Sequence, residues 1–375
     1  MAGIYLHIPF CKSKCAYCEF YSVASIKYKD DFVNAICKEI ELRKNYLNGE
    51  KVQTIYFGGG TPSLLEKSDL EKILNQIYKY FNVEQNNEIT LESNPDDLSK
   101  EYINEISKLG INRLSIGIQS FDEEDLKLMR RRHSAQQAEM SVKFAQDQGF
   151  ENISVDLIYG LPKLTSERWK ENIEKALSLN IQHISAYHLT IEPKTLFHKY
   201  YQDQKINLPT EDESLYQFKL LKDLTAQNGF LHYEISNFAK EGFISLHNTN
   251  YWMNVKYLGL GPSAHSYNLT SREWNIRNIH AYMEGIFQGK LENETEILTK
   301  KEKYNDFLIT SLRTMWGLNT EIIKNNFGAS YEKIFIDKSK RFVDQNLLTK
   351  FKNSYKLTEK GIFISDSIIS SLMDV

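Results

Sequence analysis

IYLHIPFCKSKCAYCEF, residues 4–20, joins a short alternating apolar run to three cysteines, Cys11, Cys15 and Cys18, spaced Cys-x3-Cys-x2-Cys. The chain has four cysteines in all; the fourth, Cys37, lies in the helical pattern FVNAICKEIELR and reads as a packed core residue. Three thiolates make an incomplete metal site. A structural zinc would need a fourth ligand, such as His7 or a distant residue. A chance cluster of buried cysteines is a second reading. A four-iron cluster held by three cysteines is a third, and it accounts for the count by leaving one iron open to an exchangeable ligand.

Outward from this stretch, strand-like runs alternate with amphipathic helical patterns. IYLHI precedes Asp30 to Arg43, TIYFGG precedes Lys67 to Tyr80, and EITLE precedes Ser99 to Leu109. NRLSIGIQS is followed by Glu123–Met129 and Ala135–Gln148, NISVDLIYG by Ser166–Leu179, and HISAYHLTI ends near residue 191. Six such alternations predict a parallel sheet with crossover helices, an α/β partial (β/α)6 barrel, two units short of a closed eight-stranded one. In such sheets ligands bind beyond the carboxyl ends of the strands. Gly58–Gly60, Glu92, Gln119 and Asp156 all fall at such ends.

The texture changes after Glu192, where a polar stretch leads to a helix near Glu211–Gln227 and then to short mixed strands. Past ENETEILTKKEK, the pattern is a helix over Tyr304–Met315, short helices, the strand-like LLTKFKNSYKLT and an apolar helix, a winged-helix-like arrangement. The expected organisation is therefore a core over 1–192, an α+β extension over 193–290 and a small domain over 291–375.

Composition narrows the function classes. Hydrophobic residues make up 41% and aromatics 12% of 375 residues, which suits a sizeable folded core. The net charge of −3 is spread along the chain, which argues against a nucleic-acid footprint or a polybasic membrane anchor. No apolar run reaches the length of a membrane span, and MAGIYLHIPF does not read as a signal peptide, so a cytoplasmic location is expected. A reducing compartment leaves the cysteines free for metal rather than for disulfides.

YFGGGTPS can bring backbone groups close to a ligand, although a plain turn has the same composition. Glu92 in TLESNPDD can accept hydrogen bonds from ribose hydroxyls or act as a solvated strand end. Gln119 follows the apolar LSIGI, and Arg131 lies in a run of three arginines. Asp156 sits in the otherwise apolar SVDLIYGLP, and burying it alone is costly, so a ligand or a buried arginine is expected beside it.

Cys-x3-Cys-x2-Cys directly after a first strand resembles the signature of the radical SAM superfamily. That resemblance implies a [4Fe-4S] cluster on Cys11, Cys15 and Cys18 and S-adenosylmethionine (SAM) chelated to the open iron. IYLHIPFCKSKCAYCEF, YFGGGTPS, GINRLSIGIQSF, DLIYGLP, YEISNFA, HNTNYW and YLGLGPSAHSY together are most similar to the branch that holds the oxygen-independent coproporphyrinogen III oxidases (HemN) and their heme chaperone relatives (HemW). Carried over to this sequence, Tyr5, Tyr17, Gly59, Gly60, Thr61, Glu92, Gln119, Arg131 and Asp156 line the SAM region; no catalytic side chain is assigned. The oxidases carry x-Cys after the third cluster cysteine, where this chain has Phe20, and they have a longer N-terminal extension. Both departures favour the chaperone side, as does HNTNYW (His247 to Trp252), although such a hexapeptide alone reads as a strand with core aromatics. The resemblance then implies heme binding with His247 as the first candidate axial ligand, and His7, His188, His232 and His265 as alternatives. It also implies heme-accepting proteins of the respiratory chain and a flavodoxin-type or ferredoxin-type reductant. The competing expectations are a true coproporphyrinogen III oxidase and a radical enzyme with another substrate.

Overall fold

The computed structural model describes residues 1–374. Six strands, β1 (Ala2–Ile8), β2 (Val52–Gly59), β3 (Val83–Ser93), β4 (Arg113–Gln119), β5 (Asn152–Tyr159) and β6 (His183–His188), pair in chain order and all in parallel. Each is followed by at least one helix, so the expected alternation is the observed one. Their inner faces and the covering helices share one core from Ala2 to Ile286. The helices Lys67–Tyr80 and Glu211–Gln227 begin and end where their patterns predict, because each starts on a reciprocal cap, Glu66 with Asp69 and Thr210 with Glu213.

The barrel stays open because its two edge strands pair outward. The extension adds β7 (Phe230–Glu234), β8 (Asn237–Lys240), β9 (Lys256–Leu260), β10 (His265–Tyr267), β11 (Ser271–Asn275) and β12 (Asn293–Ile297). β8 pairs antiparallel with β6, while β9 runs parallel to β1, giving one sheet of 12 strands. The boundary expected at 192/193 is thus a change of topology within one sheet and one core.

HNTNYW departs from the strand reading. Leu246–Trp252 is a helix: Ser245 caps it, and the Glu88 carboxylate accepts from the backbone N–H groups of Leu246 and His247, both at 3.0 Å. A carboxylate at a helix N-terminus satisfies donors that have no partner within the helix.

The C-terminal unit has its own core, built on Tyr304, Leu308, Phe335, Tyr355 and Ile368. Its first helix is Lys300–Leu312, slightly earlier than the Tyr304–Met315 pattern, because Thr299 and Glu302 form the cap. The strands Leu348–Phe351 and Ser354–Leu357 form the hairpin wing among helices. No helix of the described residues is long and apolar enough to cross a membrane.

Candidate functional site

The loop leaving β1 carries the three cysteines to the carboxyl ends of the barrel strands. There all three line one cavity of about 440 Å³, together with Tyr17, Gly59, Gly60, Thr61, Glu92, Gln119, Arg131 and Asp156. All four cysteines of the chain are free thiols. Thr61 donates its hydroxyl to Cys11 Sγ at 3.5 Å, and Arg131 Nη1 donates to Cys15 Sγ at 3.3 Å. Arg131 is fixed in turn by Nη2, which donates to Asn94 Oδ1 and to the Gly117 carbonyl, both at 2.5 Å. At Cys11 the Thr61 hydroxyl and the Arg131 charge both favour thiolate, the form that binds metal. Burial works the other way: it raises the Cys11 thiol and pushes Cys18 up to about 11, so loading iron must expel protons.

Among the described residues, no three His, Cys, Asp or Glu side chains converge tightly enough to hold a single metal ion. The thiols line the cavity wall instead of closing on one ion. That donor set, three sulfurs on one side of a sizeable space, fits a polynuclear iron–sulfur group with an open side better than a closed zinc site.

Glu92 stands across the cavity, accepting from Tyr56 Oη at 2.8 Å and from the Gly59 N–H at 3.1 Å. Burial raises its carboxyl to about 7, with the two hydrogen bonds opposing. Asp156 accepts from Ser115 Oγ at 3.2 Å, and burial raises it to about 6. Arg113, 1% exposed in the barrel interior, and Arg131 oppose that rise by their charge, but among the described residues neither forms an ion pair with Asp156. Gln119 ends β4 in the left-handed region, with φ 71°. A non-glycine residue held there stores backbone strain, which is common where a side chain or amide must face a ligand.

The glycines act partly on the protein itself. A Cβ on Gly60 would lie 2.7 Å from the Phe10 carbonyl oxygen and 2.8 Å from that of Ile8, so the missing side chain lets β2 close against the start of the cysteine loop.

Five sequence candidates, Tyr5, His247, His7, His232 and His265, are not part of this cavity's lining. Tyr5 points into the barrel below it, donating its hydroxyl to His7 Nδ1 at 3.2 Å and stacking on Tyr56. His247 is deeper still, beside Gly3 and Thr54, and only 2% exposed. Its Nδ1 meets Thr54 Oγ1 at 2.8 Å, its Nε2 meets Tyr251 Oη at 3.0 Å, and its ring stacks on Tyr56 at 4.8 Å. With both ring nitrogens engaged, the imidazole is a packed core group and presents no free lone pair to an iron. His7 and His232 are likewise buried or half-buried and bonded, to the carbonyls of Tyr21 and Ile235. His188 lines the cavity rim and bonds Ser214 Oγ at 3.0 Å. His265 is exposed on β10.

Asn94, Ser115 and Tyr187 also line the cavity and were not singled out from the sequence. Asn94 could have been found by period two, since it follows Glu92 at the spacing that shares a strand face.

The family model described as the radical SAM superfamily matches residues 5–176, and that of the HemN C-terminal domain matches residues 298–364. The protein named heme chaperone HemW from Lactococcus lactis is 35% identical, covering 98% of this chain and 96% of its own. Its namesake in Bacillus subtilis is 32% identical over 100% and 99%, and that in Escherichia coli 31% over 98% and 97%. The solved coproporphyrinogen III oxidase HemN of Escherichia coli, described as a radical SAM enzyme, superposes with a TM-score of 0.86 at 23% identity, covering 99% of this chain and 90% of that one. At that identity the likeness speaks for the fold.

Proposed function

Because the chain belongs to the HemW family of radical SAM proteins, we propose that it is a heme chaperone that carries a [4Fe-4S] cluster and SAM, binds heme and passes it to acceptor proteins. The observation that carries the cofactor part is the single cavity shared by Cys11, Cys15, Cys18, Arg131, Glu92 and Asp156. The full-length likeness to proteins named as heme chaperones carries the cargo. When bound, the cluster supplies an open iron for the amine and carboxylate of SAM and a source of single electrons.

The chain's own residues do the rest. Arg131 offsets thiolate charge at Cys15, and Thr61 holds Cys11 by its hydroxyl. Glu92, already oriented by Tyr56 and the Gly59 amide, offers acceptor lone pairs to ribose hydroxyls. Gln119 and Asp156 present polar groups to the same space, the charge of Asp156 opposed by those of Arg113 and Arg131. Phe20, 68% exposed, stands at the cavity where the oxidase branch has a cysteine. A cytoplasmic site of action, respiratory-chain heme proteins as acceptors and a flavodoxin-type or ferredoxin-type reductant complete the proposal.

The test is anaerobic reconstitution with iron and sulfide, followed by titration with heme and, separately, incubation with coproporphyrinogen III, SAM and a reductant. Near-stoichiometric heme binding without porphyrin turnover supports the carrier. Sustained porphyrin product, or no heme binding at all, refutes it. Cys15→Ala should lose the cluster, and a full four-iron complement in that variant would remove the site assignment.

A further inference from the structure

A second cleft, of about 400 Å³, opens beside the cluster cavity, and Glu19 and Phe20 of the cysteine loop form a wall of both. Its other side comes from the extension: Tyr251, Tyr257, His265 and Arg277. The loop is tied to that side by Arg277 Nη2, which donates to the Glu19 carbonyl at 2.7 Å, and by the Ile279 N–H, which donates to Tyr21 Oη at 2.7 Å. The cleft therefore lies where the cysteine loop meets the extension, with Tyr5 and His7 of β1 also in its lining.

The cleft's chemistry is a set of flat aromatic walls, two imidazoles, one cation, the Glu19 carboxylate and the Ser263 hydroxyl. Of its two histidines, His7 is 5% exposed with both ring nitrogens bonded. His265 is exposed, its ring lies against Trp274 at 6.0 Å, and no hydrogen bond engages it among the described residues. Phe20 leaves 68% of its surface to water at the mouth, an apolar surface that a planar hydrophobic ligand would cover.

We propose that this cleft is the heme site, with His265 as the axial ligand to iron, Phe20, Tyr21 and Tyr257 against the macrocycle, and Arg277 paired with a propionate. The proposal rests on the heme-carrier reading above and replaces His247 as the ligand. The exposed His265 imidazole can bind iron without giving up a hydrogen bond, whereas His247 would first have to give up two hydrogen bonds and its stack on Tyr56. An open cleft leaves part of the porphyrin at the surface, as transfer to an acceptor requires. Because Phe20 lies two residues beyond Cys18, assembly of the cluster also sets the position of one wall.

The experiment is a hemin titration of the reconstituted full chain, read by absorbance, for wild type, His265→Ala, His265→Cys, Arg277→Gln and the surface control His280→Ala. His265→Ala should bind at least about tenfold more weakly and lose the imidazole-ligated Soret band. His265→Cys should give a thiolate-ligated spectrum, a change that a merely structural role would not produce. Arg277→Gln should weaken binding with an unchanged band position, and His280→Ala should match wild type. If wild type takes up no heme, the carrier reading fails. If wild type binds and both His265 variants keep its spectrum and affinity, the carrier reading stands and this site is overturned. Circular dichroism confirms folding; the Cys variant reports ligation even if the Ala variant is lost.

Discussion

Glu39, in the first helix (Lys29–Leu42), ties the barrel to the extension, and its removal makes a sharp prediction. Its side chain is 0% exposed. Oε2 accepts from the Gly261 N–H at 2.8 Å and from Tyr282 Oη at 2.7 Å, and Oε1 accepts from Asn275 Nδ2 at 2.7 Å. Arg43 approaches at 3.8 Å but keeps its stronger partner, Glu273, at 2.6 Å. Glu39→Ala strips the acceptor from the buried Gly261 N–H and Tyr282 O–H and leaves Asn275 Nδ2 only the Gly261 carbonyl, at 2.9 Å; each orphaned donor costs about 1–3 kcal/mol, while Arg43 stays paired. Partial relaxation brings the expected total to about 4 kcal/mol, within the range for breaking a buried charged network. Tyr282→Phe, which removes one of the three bonds, should cost about 1–2 kcal/mol. The assay is guanidinium unfolding followed by tryptophan fluorescence, since Trp169, Trp252 and Trp274 precede the C-terminal unit. The two cores need not unfold together, so the transition is compared with far-UV circular dichroism. The variant should also be cut faster by protease between β9 and β11, where Gly261 leads to His265. A loss below about 1 kcal/mol would refute the reasoning, because it would mean that water or repacking satisfies the donors that Glu39 leaves behind.

Three further predictions follow the same geometry. His247→Ala should lower stability by about 2–4 kcal/mol through a cavity and two orphaned hydroxyls; unchanged stability with a lost heme spectrum would mean that the ring leaves its core position to bind iron. Gln119→Gly should leave stability within about 1 kcal/mol, since relieved strain offsets glycine's entropy, while calorimetry of the cluster-loaded protein shows weaker SAM binding; a larger stability loss would make Gln119 a packing residue. Burial raises the Glu234 carboxyl to about 7, above its ordinary 4.5, so its contribution is fully present below pH 4.5 and is lost as pH rises through about 7. Glu234→Gln should therefore gain on wild type over that window, by on the order of 3 kcal/mol at most; a pH-independent difference in unfolding free energy would show that the carboxyl is not held protonated.

Much of the fold was legible because its signals are local. Alternation of period two and 3.6, with reciprocal caps such as Glu66 with Asp69, marked the strands and helices of the barrel. The cavity residues were legible for a related reason: ligand-facing residues of an α/β sheet fall near the carboxyl ends of the strands, where Gly59, Glu92 and Gln119 stand, while Asp156, inside β5, was marked as a lone acid in an apolar run. The helix over HNTNYW was not legible, because what starts it is Glu88, more than 150 residues away in the chain. Nor was the antiparallel pairing of β11 with β12, since a helix over Ile279–Phe287 separates them in the chain.

The sequence by itself determined which chemical groups exist and in what order: three thiols behind a first strand, acids at strand ends, and a histidine in each of several motifs. Only the tertiary structure decided how deep each group lies and what it touches. Gly3 pairs with Thr54 and Ile8 with Gly59, and at ~3.3 Å per residue those layers are about 16 Å apart along the barrel. His247 is drawn to the lower layer by Thr54, 193 residues away, while His265 is left open beside the cysteine loop. Such long-range pairings depend on which strands become neighbours when the sheet curves, and no periodicity in the chain encodes that.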